Sequence, residues 1–210
     1  MNKTGKFITI EGVEGAGKST QMAYIENALK GASVDLVVTR EPGGTPLGEE
    51  IRELLLRPRD SGMSERAELL LMFAARAEHL ANLIEPALEH GQWILCDRFT
   101  DATYAYQGGG RGLDKTLIAQ LETLAQGNLR PDITIYLDVS IEVGMQRARL
   151  RGELDRFEQE DMDFFNRVRQ TYLDRAGAFP EVYRVIDASV SIEDVQSQID
   201  GVIEQLLESR

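Results

Sequence analysis

Gly12-Val13-Glu14-Gly15-Ala16-Gly17-Lys18-Ser19 has the spacing of a phosphate-binding loop, with a glycine at each end of the turn followed by lysine and a hydroxyl. An apolar, β-branched run at 7–10 precedes it, and Met22, Ile25 and Leu29 follow at helical spacing. Strand, loop and helix in that order are the context the motif requires. Glycines let successive backbone N–H groups turn inward around phosphates, and the helix N-terminus adds positive potential. Lys18 then reaches the β and γ oxygens, Ser19 offers a ligand to Mg²⁺, and Thr20 closes the nucleotide-binding set Gly12, Val13, Glu14, Gly15, Ala16, Gly17, Lys18, Ser19 and Thr20.

The rest of the chain repeats that alternation. Short β-branched runs at 7–10, 34–39, 93–97, 133–138 and 182–187 predict strands, separated by helical patterns near 18–30, 47–57, 65–90, 114–126, 141–151, 160–176 and 191–208. Strands alternating with helices build βαβ units. The fold expected is therefore α/β: a P-loop NTPase-type, doubly wound, five-stranded parallel sheet flanked by helices, with ligands at the carboxyl ends of the strands. Gly91 is placed to cap the long helix, and Ser191 with Asp194 forms a loosened capping box before the last one. With 210 residues, 42% of them hydrophobic, residues 1–210 suit a single domain. A small mobile lid is expected at approximately 147–158, and a second mobile piece in the glycine-rich loop 107–112.

Charge narrows the partners. Lys and Arg total 23 against 35 Asp and Glu, a net charge of -12. Such a surface repels nucleic acid and anionic membrane, so neither is an expected partner, and a phosphate-bearing ligand must be met by a local cluster of cations. No stretch reaches membrane-spanning length and the first apolar run is too short for a signal peptide, which predicts a cytoplasmic protein. The single cysteine, Cys96, follows Trp93-Ile94-Leu95 and reads as a buried strand thiol. Two histidines and that cysteine offer no zinc spacing.

Glu14 is the odd member of a loop built for anions. Either it is a solvated acid, or it faces away from the bound triphosphate toward a hydroxyl or metal of a second ligand. In both cases the loop supplies no extra cation to the transferring phosphoryl, which must come from elsewhere. The only Asn-Lys pair, Asn2-Lys3, lies ahead of the loop and lacks the following Asp by which GTPases read guanine. Trp93-Ile94-Leu95-Cys96-Asp97-Arg98-Phe99 is an apolar strand ending in an acid placed to organise Mg²⁺ waters and an arginine able to grip a phosphate.

Arg40-Glu41-Pro42-Gly43-Gly44, Asp97-Arg98-Phe99 and Ala105-Tyr106-Gln107-Gly108-Gly109-Gly110-Arg111 occur, in order and spacing around the phosphate loop, as they do in thymidylate kinases, and the resemblance runs over nearly the whole chain. The resemblance implies Mg-ATP-dependent conversion of dTMP to dTDP by a homodimer. In "RARLRGELDRFE" the arginines resemble the lid of the bacterial form, where the lid supplies the cation that the phosphate loop lacks. Lys18, Arg98, Arg149 and Arg151 would then be catalytic, with Arg156 flanking the adenine or phosphates. Ser19, Asp97 and Glu158 would serve the metal.

Carried over residue by residue, Arg52, Arg98 and Arg76 would hold the monophosphate and base, and Thr103 and Gln107 would hydrogen-bond the base. Tyr106 would crowd the sugar's 2' position, Glu14 would approach its 3' hydroxyl, and Glu41 would be structural. The chain departs from the family where a phenylalanine is expected to stack on thymine. Met72 stands there, with Phe73 one later. Residues 72, 76, 79 and 83 share a helix face, whereas Phe73 aligns with Leu69, Ala77 and Leu80. Either Met72 packs on the base through its sulfur or a rotated helix presents Phe73. A kinase for another nucleoside monophosphate, or a nucleotide-binding regulatory protein without chemistry, are the alternatives. Adenylate kinases differ in the loop, and the second alternative would predict missing lid cations or a damaged loop.

Overall fold

A computed structural model of the protein describes residues 5–59, 62–150 and 156–208. Its centre is β1 (Phe7–Gly12), every residue of which is buried, as the near-continuous apolar run of a parallel strand covered on both faces requires. Beside it lie β3 (Trp93–Asp97) and β4 (Ile133–Asp138), with β2 (Leu36–Arg40) and β5 (Tyr183–Asp187) at the half-exposed edges. The order is β2-β3-β1-β4-β5, all parallel. Register pairs Ile10 with Asp97, Arg40 with Asp97 and Gly12 with Leu137. The carboxyl ends of β1, β2 and β3 therefore meet at one edge of the sheet, where open α/β folds bind ligands.

Nine α-helices are assigned among the described residues: α1 (Lys18–Gly31), α2 (Pro46–Leu56), α3 (Glu65–His79), α4 (Glu85–Glu89), α5 (Thr100–Thr103), α6 (Lys115–Gln126), α7 (Ile141–Arg149), α8 (Met162–Ala178) and α9 (Ile192–Glu208). Their starts follow capping chemistry. Thr45, Ser64 and Asp161 accept from Gly48, Ala67 and Phe164 backbone N–H groups, and Asp194 N–H donates to Ser191 Oγ at 3.1 Å while Ser191 donates to the Asp194 carboxylate at 2.7 Å. Each such cap stabilises its helix by about 1 kcal/mol. Gly91 is left-handed, φ 79°, where the chain leaves α4. Cys96 is fully buried, and burial first, then nearby carboxylates, pushes its thiol well above the ordinary range.

Two expectations change. The pattern read as one helix at 65–90 is α3, a π-helical turn at Leu80–Ile84, then α4. Pro86 sits at the join; lacking an N–H and crowding the carbonyl four residues back, it cannot continue an ordinary α-ladder, and the wider turn accommodates it. The glycine run expected as a mobile loop is also helical: α5 passes into a π-helix at Tyr104–Gly110. Its glycines serve packing against α8. A methyl on Gly109 would overlap Thr171, one on Gly110 would overlap Phe164, and Arg167 of α8 donates to both glycine carbonyls. None of the described helices is long and apolar enough to cross a membrane.

Candidate active site

The phosphate loop leaves β1 and crosses to α1. Gly15, φ 71°, passes so close to Gly144 of α7 that a side chain would overlap its carbonyl. Gly17, φ 92°, caps α1 with no side chain, which leaves the first N–H groups of the helix for a ligand. Lys18 is buried and donates to Gly12 O at 3.2 Å. Burial, then the nearby Arg98 guanidinium, draws its ammonium below the usual range, with Glu14 and Asp97 acting against them. A desolvated ammonium turned toward a loop of N–H donors is suited to an incoming polyphosphate.

Facing the loop is a second positive region. Arg98 follows β3 with φ 69°, a left-handed conformation that costs a non-glycine residue of order 1–3 kcal/mol. Its N–H donates to Ile10 O at 3.0 Å, its Nη2 to Glu14 Oε1 at 2.6 Å, and its guanidinium lies 4.8 Å from the Tyr106 ring centroid. Tyr106 OH donates to the same Glu14 oxygen at 2.8 Å. Glu14 is thus anchored between the loop and the opposite wall rather than solvated. Arg52 of α2 donates to Pro42 O at 3.0 Å and has no carboxylate partner among the described residues. Burial, then Arg40, lowers its pKa, with Arg98 adding to both and the Glu49 and Asp97 carboxylates acting against them.

Arg76 of α3 is 2% exposed. Its Nε donates to Glu41 at 2.8 Å and its Nη2 to Thr103 at 3.1 Å, while Nη1 is buried with no partner among the described residues. Glu41 also meets His79 Nδ1 at 3.1 Å, and Thr39 meets His79 Nε2 at 2.7 Å. A carboxylate only accepts, so the His79 proton facing it sits on Nδ1. Gln107 Nε2 donates to Glu68 at 2.8 Å. Met72 lines the cavity, whereas Phe73 turns into a cluster with Leu69, Tyr104 and Ile118 outside it, under the Arg76 guanidinium at 4.9 Å.

A metal would meet hard oxygen donors here. Asp97 Oδ1 is buried without a partner among the described residues, and Ser19 shares the same cavity wall. Among the described residues no group of three or more acidic, histidine or cysteine side chains gathers as a cage. Mg²⁺ is commonly held by one or two carboxylates with water and substrate phosphates, so this sparse donor set fits it.

These residues enclose one cavity of about 460 Å³, within the range of small-molecule sites. It joins Glu14 through Thr20 of the loop to Glu41, Arg52, Met72, Arg76, Asp97, Arg98, Thr103, Tyr106, Gln107 and Glu158. Gly12 and Val13 lie behind the loop, Gly12 contributing its carbonyl to Lys18 and Val13 packing in the core. Arg149 is exposed in the last turn of α7 and does not line the cavity; Arg147 does, and donates to Ala188 O at 3.1 Å. Arg151 lies outside the described residues. Arg156 binds Glu68 at 2.7 Å and Leu55 O at 2.8 Å and is not among the residues lining the cavity. Sequence reading missed Glu68, although it shares the 72/76 helix face, and missed Phe157, which walls the cavity edge-on to Tyr106 at 5.9 Å.

Fold and site together define a phosphate-loop, nucleotide-binding α/β protein with the arginines Arg52, Arg76 and Arg98 lining the same cavity as the loop. The family profile described as thymidylate kinase matches residues 10–199. The chain is similar to the thymidylate kinase of Pseudomonas syringae pathovar tomato, 60% identical over 205 residues covering 98% of each chain. It is 55% identical to that of Teredinibacter turnerae over 97% of this chain and 100% of the relative. The crystal structure of thymidylate kinase from Ehrlichia chaffeensis superimposes with a TM-score of 0.78 at 36% identity, covering 97% of this chain and 99% of the other. The chain belongs to the thymidylate kinase family.

Proposed function

We propose that this protein transfers the γ-phosphoryl of ATP to dTMP, giving dTDP and ADP on the way to dTTP. The observation that carries the reading is the single cavity with a phosphate loop on one wall and Arg52, Arg98 and a partly unsatisfied Arg76 on the other. ATP's phosphates lie along Gly15–Ser19 against Lys18. The dTMP phosphate meets Arg52 and Arg98, its sugar lies near Tyr106 and Glu14, and its base meets Arg76, Thr103, Gln107 and Met72. Guanidinium groups suit both a phosphate and the edge of a pyrimidine.

An acceptor phosphate is already ionised, so in-line transfer needs positioning and charge neutralisation more than a general base. Arg98, fixed by Glu14, aligns the acceptor oxygen, and Lys18 stabilises charge spreading over the transferred group. Residues 147–158 are read as a lid over the single domain, with Arg149 and Arg151 as its cations and Arg147 on the cavity wall. Closure there excludes water and suppresses ATP hydrolysis. Ser19 and Asp97, with Glu158 nearby, would hold Mg²⁺, which when bound neutralises phosphate charge. Buried Glu41 positions Arg76.

A coupled ADP-release assay with Mg-ATP and dTMP, dUMP, dCMP, dGMP, AMP, UMP or thymidine tests the reading. Rapid ADP formation with dTMP, weaker with dUMP, is expected. Preference for another acceptor would overturn the thymine assignment, and ATP binding without transfer to any acceptor would overturn the chemistry.

We further assign a cytoplasmic homodimer. Adjacent α3 and α6 present exposed Leu70 and Leu124 beside the half-buried row Leu113, Leu117 and Leu121, which supports a subunit interface there. Leu124→Glu with Leu70→Glu should halve the mass measured by light scattering; an unchanged mass would place the interface elsewhere.

A further inference from the structure

Glu68 lies in the first turn of α3, 1% exposed, and makes no contact in the phosphate-transfer scheme above. It receives Gln107 Nε2 at 2.8 Å, Arg111 Nε and Nη2 at 3.3 Å each, and Arg156 Nη1 at 2.7 Å. Two guanidinium groups face its charge, one of them, Arg111, shared with Glu160 at 2.6 Å. The third partner is a neutral amide, and that amide belongs to a residue on the cavity wall.

An amide beside a carboxylate has no choice of orientation. A carboxylate oxygen only accepts, so the Gln107 atom facing it is the NH₂ group, and Oε1 is the atom left to serve the cavity. Thr103 and Gln107 are four residues apart on consecutive helical turns and so share a face. Thr103 is the partner of Arg76 Nη2, and Arg76 Nη1 is a buried donor with no partner among the described residues. Arg76 and Gln107 both line the cavity, and the atoms their other partners leave over are a donor, Arg76 Nη1, and an acceptor, Gln107 Oε1.

We propose that Glu68 is a specificity-determining positioning residue: by holding Gln107 with its carbonyl toward the cavity, it selects a pyrimidine whose edge carries a carbonyl beside an N–H and rejects one whose edge carries an amino group beside a bare ring nitrogen. The inference rests on the acceptor reading above. Thymine and uracil have the first edge and cytosine the second. Bound to this wall, cytosine would set its amino group against the Arg76 donor and its unprotonated nitrogen against the Gln107 carbonyl. Unpaired buried groups of that kind, rather than lost packing, produce large discrimination between ligands of equal size. Without the carboxylate, the amide of Gln107 is free to turn over and offer either atom.

The test is the ratio of kcat/KM for dTMP to that for dCMP, measured on the full-length protein with Mg-ATP. Glu68→Gln, whose own amide tolerates either orientation of Gln107, is expected to lower the ratio by on the order of tenfold or more. Gln107→Leu should lower it comparably, and Glu68→Gln added to Gln107→Leu should lower it no further. General weakening of the site would reduce both acceptors equally and leave the ratio where it was, so an unchanged ratio in folded Glu68→Gln overturns the proposal. So would an unchanged ratio in Gln107→Leu, which keeps the buried carboxylate and its two arginines and decides the matter if Glu68→Gln does not fold. A wild-type protein that does not prefer dTMP over dCMP would overturn the acceptor reading itself, a result distinct from a preference that persists in the variants.

Discussion

Arg98 Nη2 donates to Glu14 Oε1 at 2.6 Å, so the one acid of the phosphate loop holds an arginine of the opposite wall. A charge-assisted hydrogen bond of this length is about twice as strong as a neutral one, and Tyr106 shares the same oxygen. Glu14→Gln keeps the shape and removes the charge that orients Arg98. Steady-state kinetics should show kcat/KM for dTMP falling on the order of 10- to 100-fold with little change in KM for ATP. Tighter dTMP binding instead would mean that the Glu14 charge repels the acceptor phosphate more than it orders Arg98.

Lys18 is a buried ammonium beside the loop, and its pKa is drawn down by burial and then by Arg98. Phosphate oxygens relieve that environment most when charge spreads in the transition state. Lys18→Ala should therefore lower kcat by about 10²–10³, the scale of removing one preorganised electrostatic contact. Single-turnover rates with saturating ATP and dTMP measure this, and a near-normal rate would break the mechanism.

The five parallel strands were legible because β-branched runs alternate with helical spacing, and the phosphate loop because its geometry demands glycines at fixed places. Helical spacing likewise separated Met72 and Arg76 from Phe73, and the structure puts the first two on the cavity wall and the third in a core cluster. Glu68 was illegible for the opposite reason. It shares the 72/76 helix face, but its partners lie 39, 43 and 88 residues further along the chain, so nothing local says what that acid would hold. The π-helical turns were missed because a 3.6-residue period does not register them, and a run of glycines reads as a loop unless α8 is known to press against it.

Glu41 is 4% exposed and accepts from both Arg76 and His79. Removing it strands a buried guanidinium. Breaking a buried ion pair in this way costs about 3–5 kcal/mol, and in a chain of this size each kcal/mol moves Tm by about 2–4 °C. Glu41→Ala should therefore melt roughly 6–20 °C below the wild type in calorimetry and bind dTMP poorly. A Tm within a degree or two of wild type would show that Arg76 finds another partner.

Glu11 sits fully buried within β1, its oxygens accepting from Phe99 N–H and Tyr172 OH at 2.7 Å each. Burial, then Asp101, raises its pKa from 4.5 to about 7, against the opposing pull of Arg98 and the two hydrogen bonds. The folded state therefore holds this proton more tightly than the unfolded chain. As pH rises from about 4.5, the unfolded chain ionises first, and the contribution of Glu11 to stability declines until about pH 7, then levels. Each pKa unit corresponds to about 1.4 kcal/mol, so the loss is on the order of a few kcal/mol. Glu11→Gln mimics the protonated acid, its carbonyl accepting from Phe99 and its NH₂ donating to the Tyr172 oxygen. Urea unfolding of both proteins between pH 5 and 8 should find the variant matching the wild type at the acid end and exceeding it at the alkaline end. Identical pH slopes for the two would assign the dependence to other groups.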